Sequence, residues 1–173
     1  MKNYNTNKKT HRLAKKNTAG FTLIEVLIAL VVLSIGLLGV AALQANSQKF
    51  STNAYLTTQA TVLAHDMLER IRANPAGMVA NSYNNPTSQQ QAACYTLAGC
   101  STQQMAENDR YEWAGDIADK LPAGKSIVCI DSTPDDGTPA APECDGAGTI
   151  YAVKVWWKQQ SENYERAVVT AAF

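Results

Sequence analysis

Gly20-Phe21-Thr22-Leu23-Ile24-Glu25-Val26 opens an apolar run that continues to Leu43, with Glu25 as its single ionisable group. Of the 23 residues from Phe21 to Leu43, only Thr22, Glu25 and Ser34 are polar. A helix of that length extends about 34 Å at 1.5 Å per residue, enough to cross the hydrocarbon core of a bilayer. A carboxylate inside such a span costs about 2.5 to 3.5 kcal/mol on the lenient insertion scale, and less near the interface. The run therefore implies that Glu25 finds a partner outside this chain.

Upstream stand Lys2, Lys8, Lys9, Arg12, Lys15 and Lys16 with no acid, a local charge of +6. The overall charge is zero, so residues 21 to 173 carry nine basic groups against fifteen acidic ones, or −6. The positive flank belongs on the cytoplasmic side of a membrane, which places everything beyond Leu43 on the other side. A conventional secretory signal has a shorter apolar core ending at a small-residue cleavage site, whereas here the run continues into Ala41-Ala42-Leu43-Gln44. Cys94, Cys100, Cys129 and Cys144 all follow the span. In an oxidising compartment four cysteines form disulfides in one of three connectivities, and the shortest loops pair Cys94 with Cys100 and Cys129 with Cys144. No CxxC occurs and only His11 and His65 offer imidazoles, which disfavours a zinc site or a thiol redox centre.

Downstream, Phe50, Ala54, Leu56, Ala60, Leu63, Ala64, Met67, Leu68 and Ile71 recur at threes and fours, giving one apolar helical face. Pro75 disfavours an α conformation at Asn74, so the helix should end there. One helix from about Thr22 to Ala73 would be about 78 Å long. Gly36, Gly39 and Ser34 weaken it, with two readings open: close helix packing within a membrane, or local melting when the helix leaves lipid for an assembly.

Residues 75 to 100 read as an irregular connection. A second helix fits Thr102 to Leu121, with Met105, Trp113, Ile117 and Leu121 on one side, a capping box from Ser101 and Gln104, and a stop at Pro122-Ala123-Gly124. Strands follow over Ser126 to Asp131, Thr149 to Lys158 and Tyr164 to Phe173, with turns at 131 to 148 and 159 to 163. In the middle strand Tyr151, Val153, Val155 and Trp157 share one side, while Lys154 and Lys158 lie among the other set. Of Trp156 and Trp157, one ring should enter the core and the other sit under a loop or in solvent. The fold class is α+β, a long N-terminal helical stalk packed on a small antiparallel β-sheet head.

Nothing in the head resembles an enzyme site. His65 and Asp66 are consecutive on a helix and do not face one another. Asp131, Asp135, Asp136, Glu143 and Asp145 could bind calcium, but without EF-hand spacing they read as a solvated turn. The acidic head offers no basic stripe for nucleic acid. No catalytic residue, metal or cofactor is expected.

Residues 20 to 26, directly after a basic leader, resemble the processing motif of type IV prepilins. Within that family, residues 63 to 75, the spacing Trp113, Ile117, Leu121-Pro122, and residues 151 to 156 resemble the PilV group of minor pilins. The resemblance covers nearly all of residues 20 to 173; one departure is a leader longer than many that precede phenylalanine. It implies that prepilin peptidase removes leader 1–20, cutting between Gly20 and Phe21 and methylating the new amine of Phe21. Residues 21–43 would be the transmembrane and polymerisation half of the helix, 44–74 its amphipathic half and 75–173 a periplasmic head. Glu25 would meet the Phe21 amine of an adjacent subunit. The implied role is a minor pilin that enters the pilus or primes its assembly. Its partners would be prepilin peptidase, other minor and major pilins, the inner-membrane assembly platform and, before assembly, the lipid bilayer. It would move from the inner membrane to the cell surface. A type II secretion pseudopilin shares these features, and a membrane-anchored periplasmic binding module that never polymerises is the alternative of another class. The N-terminus of the mature protein separates the last from the others.

Overall fold

Thr22 starts the first helix. Its carbonyl accepts the backbone N–H groups of Glu25 and Val26 at 3.2 and 3.3 Å, and its hydroxyl also accepts from Glu25 at 3.3 Å. Helix α1 then runs over Leu23–Ala73. The computed structural model describes residues 20–159 and 163–172. The expected basic leader up to residue 19, the middle of the turn before the last strand and Phe173 lie outside the described residues. The chain divides near residue 46 into two units.

In the first unit, α1 is exposed at every position from Leu23 to Asn46. The helix continues through Gly36 and Gly39, where an added Cβ would meet nothing within 4 Å. Over its described residues the unit thus has apolar surface on all sides and no core.

The second unit begins at Ser47 and has one. Leu56, Ala60, Leu63, Ala64, Met67, Leu68 and Ile71 of α1 are buried at helical spacing. Phe50 and Ala54, expected on this face, are exposed, Phe50 to 74%, because the head covers α1 only from Leu56 onward. Pro75 ends α1 and also starts a helix. Asn74 caps α2 (Pro75–Val79) by accepting the Gly77 N–H, and proline suits a first position that needs no amide proton. The connection read as irregular therefore contains α2 and a 3-10 turn over Ala92–Tyr95.

Helix α3 spans Thr102–Lys120 and opens with the Ser101–Gln104 capping box. Trp113, Ile117 and Leu121 are buried, but Met105 is 39% exposed and Ala106 takes the inward position. At about 100° per residue, Ala106 lies about 20° from Trp113 around the helix and Met105 about 80°.

The sheet is antiparallel in the order β1 (Lys125–Ile130), β2 (Ile150–Lys158), β3 (Tyr164–Ala172). Its register pairs Lys125 with Trp156 and Trp156 with Arg166. Every residue of β2 from Tyr151 to Trp157 is buried. Tyr151, Val153, Val155 and Trp157 join α1 and α3 in the core. The opposite face, carrying Lys154, is also covered, because the 131–149 loop folds over it. Trp157 is thus the core ring, and Trp156, 3% exposed, sits beneath that loop.

Candidate functional site

The N-terminal segment places its three candidate residues within little more than one helical turn. Gly20 precedes α1 in open surroundings, and Phe21 is 84% exposed. Glu25 lies four residues on, so it shares a face with Phe21, and both line a shallow groove with Val26, Ala29, Leu30 and Leu33. Among the described residues no hydrogen bond or ion pair reaches the Glu25 carboxylate. Ser34, by contrast, is satisfied inside the helix, its hydroxyl donating to the Leu30 carbonyl at 2.7 Å. The segment thus presents Gly20 in open surroundings, an exposed Phe21, a helix start fixed by Thr22, and one acid without a partner among the described residues.

Several polar groups of the head bind one another across its elements. Arg70 near the end of α1 reaches Asp66 at 2.9 Å, Asp109 at 3.3 Å and Glu112 at 3.0 Å, tying α1 to α3. Tyr83 donates to Asp109 at 2.6 Å and accepts from Asn74 at 3.3 Å. Burial, then the bond to Asp109, pushes the Tyr83 phenol up. Tyr95 and then Arg70 hold the Glu112 carboxyl below its ordinary range. Trp113 Nε1 donates 2.7 Å to the Leu63 carbonyl, a second α3-to-α1 tie. With Asp66 bound to Arg70 and His65 exposed, the histidine and the acid make no catalytic pair.

The acidic loop corrects the expectation of a solvated turn. Lys154 on β2 and Asp131 at the end of β1 are both fully buried, 2.6 Å apart. Lys154 also reaches Asp136 Oδ1 at 3.0 Å and donates to the carbonyls of Pro142 at 2.9 Å and Asp136 at 3.2 Å. The Thr133 hydroxyl, then Lys154, holds the Asp136 carboxyl low, and the Ser132 hydroxyl does so for Asp145. Arg166 on β3 donates to the carbonyls of Asp135, Asp136 and Gly137. The sequence signal missed here was a lysine in the middle of an otherwise apolar strand, which demands a buried counter-charge.

Disulfides join Cys94 to Cys100, with Cα atoms 4.7 Å apart, and Cys129 to Cys144, with Cα atoms 6.1 Å apart. Cys129, Cys144 and Asp131 cluster closely enough to suggest a metal, but the disulfide occupies both sulfurs and Lys154 occupies the carboxylate.

Residues 15–41 match the family profile described as a prokaryotic N-terminal methylation motif, and residues 42–111 match that described as type IV pilin Tt1218. The two matches abut, so they cover the candidate segment, all of α1 and the first half of α3 without a gap. No curated protein and no solved structure matches the chain.

Proposed function

We propose that this chain, a member of the type IV pilin superfamily by its methylation motif and pilin profile, is a minor pilin of the PilV group. Prepilin peptidase cuts between Gly20 and Phe21 and methylates the Phe21 amine. Residues 21–43 hold the protein in the inner membrane with its head, residues 75–173, in the periplasm. The assembly platform then moves the helix from lipid into the pilus among other minor and major pilins.

One observation carries the reading: residues 23–46 are an all-round apolar helix with no buried position and a lone acid that has no partner among the described residues. Lipid can cover the apolar faces but cannot neutralise Glu25. Cleavage creates a positive amine at Phe21, and in a staggered bundle that amine on a neighbouring subunit can meet Glu25. The pairing selects the stagger, since a helix displaced from it leaves both charges uncompensated in an apolar bundle.

The test compares the native chain with Glu25→Ala in cells. Mass spectrometry should find both beginning at methylated Phe21, while sheared filaments should contain the variant at about one tenth of the native level or less, as expected for loss of about 1.4 kcal/mol or more of pairing. Equal recovery of both proteins in filaments overturns the role of Glu25. An intact leader on the native protein overturns the pilin reading itself and returns the chain to a membrane-anchored module.

A further inference from the structure

Lys154 stands in the middle of β2 and Asp131 just past the end of β1, and neither side chain has any exposed surface. Nζ lies 2.6 Å from Asp131 Oδ2, yet that oxygen receives no hydrogen bond from it or from any other described group. The hydrogen bonds of Nζ go elsewhere, to Asp136 Oδ1 at 3.0 Å and to the carbonyls of Pro142 at 2.9 Å and Asp136 at 3.2 Å. The other Asp131 oxygen, Oδ1, accepts the Thr133 N–H at 3.0 Å. An amine and a carboxyl group thus touch off the hydrogen-bonding direction, with a second carboxylate on the same nitrogen.

As ions, both groups stay out of water at a desolvation cost that their attraction has to offset. As an amide, neither charge remains. Fixed contact inside the fold supplies the effective concentration that two free reactants lack. The head also holds the two groups that amide formation uses: a donor at the oxygen where negative charge develops, the Thr133 N–H, and a base on the attacking nitrogen, Asp136.

We propose that the head joins Lys154 to Asp131 by an amide bond, with the ion pair as the form from which the bond is made. Nζ gives one proton to Oδ2 across their contact, and its lone pair then bonds to Cγ while Oδ1, held by Thr133, takes the negative charge. Asp136 removes a second Nζ proton and passes it to Oδ2. The Cγ–Oδ2 bond breaks with its electron pair on oxygen, and Oδ2 leaves as water carrying both protons. The third proton stays on the amide nitrogen, which faces the Pro142 carbonyl. One water is lost and nothing else is consumed. The bond closes a covalent ring over residues 131–154 that overlaps the Cys129–Cys144 ring and, unlike it, resists reductants. It rests on the head alone and not on the pilin reading.

The test is a tryptic peptide map of full-length processed protein, aged for days in detergent, then reduced and alkylated. Trypsin cuts after Lys125, Lys154 and Lys158 and has no other site between residues 126 and 158, and it does not cut at an acylated lysine. Aged protein should yield residues 126–158 as one uncut peptide, lighter by one water. Asp131→Ala should abolish that peptide, and the native map decides the case even where this variant does not fold. Asp136→Asn keeps an acceptor on Nζ but removes the base, and should slow the appearance of the peptide about a hundredfold. Cleavage after Lys154 with full mass throughout the aged native protein overturns the proposal. So does a water loss with Lys154 still cut, the mark of a cyclic imide at Asp136–Gly137 or Asp145–Gly146. An uncut peptide that persists in Asp131→Ala overturns the assignment to Asp131, and equal rates in Asp136→Asn overturn the role given to Asp136.

Discussion

The two parts of α1 invert each other's economy. From Leu23 to Asn46 the helix is almost wholly apolar and buries nothing, whereas from Leu56 to Ile71 it is mixed in composition and buries seven side chains. Apolar content alone therefore does not decide where a helix is covered. Periodicity does: a one-sided stripe can be served by a head of the same chain, but an all-round apolar surface requires lipid or other helices. The two unusual acids follow the same division. Asp131 in the head has Lys154 at 2.6 Å, and Glu25 has no partner among the described residues.

The strongest way to break this comparison is to cut into each part in turn. Trp113→Ala should destabilise the head by about 3 to 5 kcal/mol through the cavity alone. The lost hydrogen bond to the Leu63 carbonyl adds about 1 kcal/mol. Leu33→Ala, an equally apolar truncation, should change head unfolding by less than about 0.5 kcal/mol, since the side chain contacts no core. All three tryptophans lie in the head, so urea unfolding followed by their fluorescence reads the second unit alone. A similar shift for both variants would mean that the first part of α1 is energetically joined to the core.

A second cut sharpens the contrast between the two acids. Lys154→Met leaves Asp131 buried without its counter-charge and should cost about 3 kcal/mol of head stability. Pairing it with Asp131→Leu should recover most of that loss, because a buried ion pair replaced by apolar side chains is often close to neutral. Glu25→Ala should leave the same urea midpoint unchanged. If the double variant is as unstable as Lys154→Met alone, the contribution of Lys154 lies in its bonds to the Pro142 and Asp136 carbonyls rather than in the pair with Asp131.

What was legible in the sequence follows the range of the contacts. The ends of α1, the Ser101–Gln104 box and the three strands are set by neighbours within a few residues, and their bounds fall within about a residue of expectation. Gly20, Phe21 and Glu25 could be placed around one helix start for the same reason, although the partner proposed for Glu25 lies beyond any contact the described chain makes. Arg70 with Glu112, Trp113 with Leu63 and Lys154 with Asp136 join residues 42, 50 and 18 positions apart. No local pattern encodes such pairs. Phe50 and Met105 failed differently: both obey a helical period, but how far the head extends along α1 and which arc of α3 turns inward are tertiary facts.

Acid separates the two parts with the smallest perturbation. Glu112, Asp136 and Asp145 are each held below their ordinary range, by Tyr95 and Arg70, by Thr133 and Lys154, and by Ser132 respectively. A carboxyl whose folded value is depressed contributes stability above its unfolded value, about 4, and loses it as pH falls through the lower folded value. The raised phenol of Tyr83 acts at the other extreme, its contribution present below about pH 10 and lost as pH rises further. The urea midpoint of the head should therefore fall between pH 5 and about pH 3. Residues 26 to 46 contain no ionisable group, so their helicity in detergent should not change over the same interval. Glu112→Gln should flatten part of the acid response by removing a titrating group while keeping an acceptor for Tyr95. A midpoint that does not move between pH 5 and pH 3 would show that the staples between α1, α3 and the 131–149 loop contribute geometry without charge-dependent stability.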